Sequence, residues 1–222
     1  MIKGVIFDMD GLMFDTERLS TEGWLKCGQM LNLALDLDFI NSFKGRTRAY
    51  GSSLFKEKFG SDFDYDKARA IRTEYIREYI AQNGVPVKKG LYELLQFLKK
   101  ENIPCAVATS TQRELAGEYL EQADVKRYFA AIIYGDMVER GKPEPDIFLK
   151  AAEMLGIDIG CCLVLEDSPA GISAANKAGA KVIGVPDMIP LDRDSLGKLT
   201  FCINNLEMAI PIIEKNLFLS FS

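Results

Sequence analysis

VIFDMDG, residues 5–11, is an apolar run that stops at two carboxylates and a glycine. The apolar part predicts a buried strand. Ligands of open α/β sheets bind outside the carboxyl ends of the strands, so we expect Asp8 and Asp10 to project into a binding crevice. Both point the same way in an extended segment, and their repulsion must be offset by a divalent cation, a lysine or a shared proton. The alternative is an ordinary turn, because Asp and Gly are favoured in turns.

Three later apolar segments are also followed by polar side chains. These residues are Thr109, Lys142 in GKPEPD (141–146), and Glu166 with Asp167 in LEDSPAG (165–171). Lys142 and Asp167 each have a structural alternative. Most lysines are solvated surface residues, and Asp167 could cap a helix that begins at Pro169. Capping accounts for one acid, but hardly for two acids after five apolar residues.

The order and context of these four motifs resemble the haloacid dehalogenase superfamily of phosphotransferases. More narrowly, the chain resembles the branch that contains β-phosphoglucomutase and small-molecule phosphatases with a helical cap. The resemblance covers essentially the whole length of the chain. It implies an enzyme that acts on a small phosphorylated metabolite through an aspartyl phosphate.

The composition restricts the class of protein. A chain of 222 residues, 48% hydrophobic and 27% charged, can form one large globular domain or a core with an inserted partner. Its net charge of −5 argues against nucleic acid, because phosphate-backbone binding relies on clustered positive charge. The sequence contains no run of 18 apolar residues, the length that would predict a membrane span. The first residues are expected to lead into a strand rather than a signal peptide. We expect a cytoplasmic monomer without nucleic-acid or membrane partners.

Cysteine and histidine usage narrows the chemistry. The chain has five cysteines without CxxC spacing, which predicts reduced thiols and a reducing compartment. It has no histidine. A His-dependent triad and the usual imidazole-ligated zinc site are therefore excluded, and carboxylates remain as acid–base groups near neutral pH.

Residues 15–83 contain no convincing strand, and their apolar side chains recur at helical spacing. The predicted helices are Glu17–Leu31, Ala49–Phe59 and Tyr65–Gln82. We interpret residues 15–83 as an inserted all-helical cap domain, and residues 1–14 with 84–222 as the core domain.

From Leu91 onward, predicted helices and strands alternate. The helices are Leu91–Lys100, Glu114–Gln122, Asp146–Leu155 and Pro169–Ala178, and the strands are Pro104–Ala108, Ala131–Tyr134, Cys161–Leu165 and Ala180–Val185. Alternation of this kind predicts a parallel sheet with helices on both faces. The predicted fold class is α/β, a Rossmann-like doubly wound parallel sheet with the helical cap inserted. The tail from Leu191 holds helical and apolar segments that the pattern does not place.

Asp8 is the predicted nucleophile. A carboxylate can accept a phosphoryl group and so divide one difficult hydrolysis into two easier transfers. The resemblance assigns Asp8 the same role. It makes Asp10 the general acid–base, which protonates the leaving alcohol and then helps to deprotonate the attacking water. With no histidine in the chain, little else nearby could do this.

Magnesium is the implied cofactor, because oxygen ligands and retained waters suit a small octahedral cation that bridges to a substrate phosphate. The resemblance implies four metal-site residues. They are Asp8 through its side chain, Asp10 through its backbone carbonyl, Asp167, and Glu166 directly or through water.

The remaining core residues would bind the transferred phosphoryl group. Thr109, Ser110 and the adjacent amides would hold phosphate oxygens where a strand opens into a helix. Ser110 or Thr111 could instead be only the N-cap, and both interpretations can be true. Lys142 would neutralise charge on the phosphoryl group and on Asp8 during transfer.

In the cap, KGRTR (44–48) resembles the segment with which family members grip the distal part of a phosphosugar. Arg48 best matches the family's arginine, and its guanidinium would suit a second phosphate. Trp24 lies where a cap aromatic lines the substrate space. The alternatives are a solvated basic loop and a core tryptophan. The position that carries an active-site histidine in β-phosphoglucomutase matches Ser20 here, so a mutase loses a residue that it uses.

The predicted function is that of a Mg²⁺-dependent phosphatase of a small phosphorylated metabolite, with a sugar phosphate as the first choice. One alternative is a β-phosphoglucomutase-type phosphosugar mutase. Another is a noncatalytic metabolite-binding protein on the same fold, which is disfavoured because every expected catalytic position holds a competent residue.

Overall fold

The computed structural model describes residues 1–44, 48–188 and 190–218. The chain divides into an α/β unit, Met1–Asp15 with Val87–Ser222, and a helical unit, Thr16–Pro86. The boundaries predicted after residues 14 and 83 lie one and three residues from these. The Gly84 N–H donates to Ile80 O at 2.8 Å and so caps the last helix of the helical unit, which ends at Asn83.

The α/β unit contains a six-stranded parallel sheet. Its strands are β1 (Gly4–Phe7), β2 (Cys105–Thr109), β3 (Phe129–Tyr134), β4 (Cys162–Glu166), β5 (Lys181–Gly184) and β6 (Phe201–Cys202). They are arranged in the order β3-β2-β1-β4-β5-β6, which is that of a doubly wound Rossmann-like sheet. The predicted fold class is confirmed.

Ten α-helices are formed by the described residues. They are α1 (Thr16–Leu31), α2 (Leu37–Phe43), α3 (Arg48–Phe59), α4 (Tyr65–Asn83), α5 (Leu91–Lys100), α6 (Arg113–Gln122), α7 (Asp146–Leu155), α8 (Pro169–Ala178), α9 (Arg193–Gly197) and α10 (Ala209–Phe218). The first four belong to the helical unit, and the other six belong to the α/β unit.

Four elements were not predicted from the sequence: α2, α9, α10 and β6. Helix α2 has only seven residues, too few for a periodic pattern, and begins where Asp36 accepts a hydrogen bond from Phe39 N at 2.8 Å. Helix α9 begins in the same way, with Asp192 accepting from Ser195 N at 2.7 Å. The tail after Leu191 therefore completes the sheet with β6 and adds two helices.

The central strands are buried on both faces of the sheet. Every residue of β1, β2 and β4 is buried, which explains why these sequences are continuously apolar instead of alternating. Phe148 of α7 and Ile172 of α8 pack without exposure into the core formed with these strands. The polar side chains Thr109 and Glu166 therefore lie at the ends of these strands.

The helical unit has a core of its own, built from aromatic rings. Trp24 of α1 stacks on Tyr65 with ring centroids 5.9 Å apart, and Phe55 lies 5.1 Å from both rings. Such pairs contribute roughly 0.5–1.5 kcal/mol each beyond the area they bury. The aromatic cluster holds α1, α3 and α4 together.

Two further findings concern membrane-spanning helices and the cysteines. Among residues 1–44, 48–188 and 190–218, none of the helices has the length and apolar character needed to cross a bilayer. All five cysteines are free thiols.

Candidate active site

The site is assembled where the strand order reverses. β1 lies between β2 and β4, with Phe7 opposite Leu165, and the Asp8 N–H donates to Leu165 O at 3.0 Å. This places Asp8, directly after β1, beside Glu166, the last residue of β4. In doubly wound sheets the crevice at this point is the usual ligand site.

A tight turn after β1 sets the direction of the acidic residues. The Gly11 N–H donates to Phe14 O at 2.8 Å, and Gly11 has φ +82°, a left-handed conformation that other residues adopt with strain. A Cβ on Gly11 would lie 2.3 Å from Asp167 Oδ2. Only glycine therefore allows the Asp167 carboxylate to approach this turn.

Lys142 forms the centre of a buried ion cluster. Its Nζ donates to Asp8 Oδ1, to Glu166 Oε1 at 2.7 Å and to Ala108 O at 3.2 Å. These three bonds use all the donors of an ammonium group. The side chains are only 8% exposed for Lys142, 11% for Asp8 and 0% for Glu166, so the cluster is largely shielded from solvent.

The charges of this cluster influence one another. Burial lowers the pKa of Lys142, but the carboxylates of Asp8 and Glu166 outweigh it and hold the pKa above its usual value. Burial raises the pKa of Asp8 to about 8; Lys142 opposes this shift and Glu166 adds to it. One lysine therefore does not compensate two buried carboxylates, and a bound divalent cation would favour the ionised form of Asp8.

Glu166 is fixed from the side opposite Lys142. Ser168 donates to Glu166 Oε2 through its N–H at 2.9 Å and its Oγ at 3.0 Å. A Cβ on Gly171 would lie 1.6 Å from Glu166 Oε1, so the first turn of α8 packs directly on this carboxylate. The N-cap of α8 is Ser168, whose Oγ accepts from Gly171 N at 3.1 Å, which removes capping as the explanation for Asp167.

The loop after β2 contacts the general acid–base candidate. Thr109 is fully buried, and its Oγ1 accepts a hydrogen bond from Thr111 N at 3.0 Å. Thr111 Oγ1 in turn donates to Asp10 Oδ2 at 2.5 Å. Ser110 is exposed between them, and the N-cap of α6 is Gln112, so neither Ser110 nor Thr111 caps this helix.

The carboxylates could hold a metal ion. Ligand oxygens of Asp8, Glu166 and Asp167 all lie within 4.8 Å of one another. An all-oxygen set of this kind suits Mg²⁺. The raised pKa of Asp8 also fits this interpretation, because a divalent cation would favour the ionised carboxylate more than Lys142 alone does.

The predicted cap residues lie in the helical unit, where Ser20 and Trp24 both contact Arg72, whose guanidinium lies 5.6 Å from the Trp24 ring centroid. Arg48 is 62% exposed and pairs with Asp66 at 2.5 Å, whereas Ser20 Oγ accepts from Arg72 Nη1 at 3.0 Å. Trp24 is 3% exposed inside the aromatic cluster, which supports the core alternative for this residue. Residues 45–47 of the predicted 44–48 segment lie outside the described residues.

The sequence analysis missed two groups beside the site. One is the Thr111 hydroxyl, for which a second hydroxyl two residues after Thr109 was an available signal. The other is an ion cluster in which Lys88 Nζ lies 2.5 Å from Asp187 Oδ1 and 3.6 Å from Asp15 Oδ1. No motif marks these three residues, which are distant in sequence.

Comparisons with known proteins agree with the predicted family. A family model described as haloacid dehalogenase-like hydrolase matches residues 2–179. The chain is 30% identical to a phosphorylated carbohydrates phosphatase of Thermotoga maritima, over 82% of this chain and 84% of that protein. It is 31% identical to a β-phosphoglucomutase of Bacillus subtilis, over 86% of each. The crystal structure of a HAD hydrolase, family IA, variant 3, from Entamoeba histolytica has a TM-score of 0.79 at 27% identity, covering 96% of this chain and 100% of that one.

Proposed function

Because the chain belongs to the haloacid dehalogenase-like hydrolases and is a phosphoric monoester hydrolase, we propose that it is a Mg²⁺-dependent sugar phosphate phosphatase. The observation that carries this proposal is the buried cluster of Asp8, Lys142 and Glu166 at the carboxyl edge of the sheet, with Asp10 two residues from Asp8. The names of the relatives support a phosphorylated carbohydrate as substrate.

Asp8 is the proposed nucleophile. One of its carboxylate oxygens attacks phosphorus, the bond between phosphorus and the ester oxygen breaks, and the leaving alkoxide takes a proton from Asp10. Water then attacks phosphorus, gives a proton to Asp10 and releases inorganic phosphate, which restores the Asp8 carboxylate. Two transfers replace one very slow direct hydrolysis.

Lys142 is proposed to stabilise the transferring group. Its pKa is held above its usual value by the neighbouring carboxylates, so it remains an ammonium ion throughout neutral pH. Glu166 holds the lysine in place through the 2.7 Å bond to Nζ. A preorganised positive charge in a buried site stabilises developing negative charge more effectively than water does.

Asp10 is proposed to be oriented by Thr111. The Thr111 hydroxyl donates to Asp10 Oδ2, while the backbone N–H of the same residue is fixed on Thr109 Oγ1. A general acid must be held within hydrogen-bonding reach of the atom it protonates. Thr109 and Ser110 are proposed to bind the phosphate oxygens from the same loop.

Mg²⁺ would be held by the Asp8 side chain, the Asp10 backbone carbonyl and Asp167. Both Glu166 oxygens already accept hydrogen bonds from Lys142 and Ser168, so we assign Glu166 an indirect role, through the lysine or through water. When bound, the cation supplies charge neutralisation between Asp8 and the incoming phosphate.

Phosphate release tests the proposed function. We expect the purified protein with Mg²⁺ to release phosphate from p-nitrophenyl phosphate, and to show its highest kcat/KM within a panel of sugar phosphates. EDTA should abolish the activity, and added Mg²⁺ should restore it. Absence of phosphate release from every substrate would contradict the proposal, and full activity in EDTA would contradict its metal dependence.

A phosphosugar mutase is the second candidate, favoured by the identity to the β-phosphoglucomutase of Bacillus subtilis. Against it, the chain has no histidine, and Ser20 takes the position that the mutase resemblance assigns to one. The deciding assay supplies β-glucose 1-phosphate, a trace of β-glucose 1,6-bisphosphate and Mg²⁺. We expect inorganic phosphate as the main product; efficient formation of glucose 6-phosphate with little phosphate would favour the mutase.

A further inference from the structure

Asp187 lies in an ion cluster that the proposed mechanism does not use. Its Oδ1 is 2.5 Å from Lys88 Nζ, and Lys88 also approaches Asp15 at 3.6 Å. The cluster belongs entirely to the α/β unit. Burial lowers the pKa of Lys88, but its contacts with Asp187 and Asp15 outweigh this and raise the pKa above its usual value, so Lys88 stays charged.

The second oxygen of Asp187 has no hydrogen-bond partner among the described residues. The side chain is only 9% exposed, and Oδ2 itself is buried. An unsatisfied buried carboxylate oxygen is costly, and such atoms usually mark an ordered water molecule or an ion. The ion pair with Lys88 explains Oδ1 but leaves Oδ2 unexplained.

Oδ2 faces the proposed metal site. A Cβ on Gly11 would lie 3.2 Å from Asp187 Oδ2 and 2.3 Å from Asp167 Oδ2. Both carboxylates thus converge on the same backbone position, from different segments of the chain. Two carboxylate oxygens that converge in this way are both acceptors, so a water molecule that donates to both would satisfy the buried Asp187 Oδ2.

We propose that Asp187 is a positioning residue of the metal site, whose Oδ2 accepts a hydrogen bond from a water molecule shared with Asp167. Lys88 holds Asp187 in this orientation through the ion pair with Oδ1. The water fixes the Asp167 carboxylate in the direction that the cation requires. The inference rests on the proposed function, because it concerns the metal that this function needs.

Outer residues of metal sites orient the ligands, and their substitution commonly costs about 10- to 100-fold in metal affinity or activity. The test is a calorimetric Mg²⁺ titration of wild type, Asp187→Ala and Asp187→Asn, without substrate. We expect the Kd for Mg²⁺ to rise about 10-fold in the Ala variant, which loses the acceptor. The Asn variant keeps the shape of the side chain and decides the test if the Ala variant does not fold.

The matched control is Asp15→Asn. It removes the same charge from the same lysine but not the oxygen that faces Gly11, so we expect its Kd to stay within about threefold of wild type. The electron paramagnetic resonance spectrum of bound Mn²⁺ should also change in the Asp187 variants and not in the control. Thermal unfolding in EDTA establishes that each variant is folded.

The outcomes separate the two proposals. A wild-type protein that binds no divalent cation would overturn both the metal dependence and the role of Asp187. If wild type binds Mg²⁺ and the Asp187 variants bind it equally well, only the role of Asp187 is overturned. Equal losses in Asp15→Asn and the Asp187 variants would also overturn it, because general charge would then explain the effect.

Discussion

The two units of this protein differ in whether charged side chains are buried. In the α/β unit, Asp8, Lys142 and Glu166 are buried and bonded to one another at the end of the sheet. In the helical unit the core is aromatic, and an ion pair such as Arg48 with Asp66 has both partners more than 60% exposed, at 62% and 66%. The α/β unit also has exposed ion pairs, such as Arg127 with Asp124, but the buried charged cluster belongs to it, whereas the core of the helical unit is aromatic.

This difference determines how firmly each ion pair is held. Buried charges must be paired, and removal of one partner leaves an uncompensated charge that is strongly destabilising. Exposed pairs are screened by water and open readily. The buried cluster is therefore held in a fixed geometry, as the proposed chemistry requires, whereas the exposed pair of Arg48 with Asp66 can open at little cost.

The largest effect should come from Asp8→Asn, which removes the proposed nucleophile from the buried cluster. Turnover should fall by about 10⁴-fold or more, because loss of a nucleophile leaves only binding and electrostatic contributions. Mass spectrometry of acid-quenched wild type should locate phosphate on Asp8. Asp62→Asn, an exposed change in the helical unit, serves as the control, and normal turnover of the Asp8 variant would exclude the covalent mechanism.

Asp10→Asn should lower turnover by about 10²- to 10⁴-fold, the usual value of general acid–base catalysis. Its Mg²⁺ affinity should be retained, because only the backbone of Asp10 is a proposed ligand. Asp167→Ala should instead weaken Mg²⁺ binding. Calorimetry on the two variants checks this distinction, which would fail if both lost the metal equally.

A glycine pair tests how tightly the buried cluster is packed. In Gly171→Ala the added Cβ would meet Glu166 Oε1 at 1.6 Å, so we expect a loss of about 1–3 kcal/mol in the free energy of unfolding. Gly117→Ala, in α6, meets nothing within 4 Å and should stabilise by about 0.5–1 kcal/mol. Urea unfolding compares both, and equal stabilities would contradict tight packing.

Arg48→Ala addresses the helical unit. If Arg48 binds the distal end of a phosphosugar, KM for that substrate should rise about 10-fold, the value of a charge-assisted hydrogen bond. KM for a small aryl phosphate should change little, and so should kcat for both. Arg77→Ala provides an exposed arginine control from α4. An equal rise in KM for both substrates would remove Arg48 from substrate selection.

The last prediction concerns thiol reactivity, for which we expect no effect on turnover. Burial raises the pKa of Cys105 to about 12 and also raises the pKa of Cys27 in the helical unit. A raised pKa keeps each thiol protonated at pH 8, and the thiolate is the reactive form. In single-cysteine variants, exposed Cys202 should therefore react with a thiol reagent much faster than Cys105 or Cys27. Comparable rates at Cys105 would show that the α/β unit opens readily.

The residues of the candidate site could be proposed from the sequence because each stands beside a strand that local patterns predict. Each strand end carries its reactive residue within a few positions of an apolar run, as in Asp8 after β1 and Glu166 at the end of β4. Long periodic helices were also predictable. Short elements were not: α2 and α9 each depend on one aspartate cap, and β6 has only two residues.

The sequence by itself determined the fold class, the family and the residue types at the ends of the strands, since these follow from local periodicity and motif. Only the tertiary structure decided which residues meet. Lys142 reaches Asp8 across 134 positions, and Thr111 reaches Asp10 across 101. It also decided that Trp24 lies in a core and that a buried oxygen of Asp187 faces Gly11. Such contacts depend on the order of the strands and the packing of loops, which no local pattern of residues specifies.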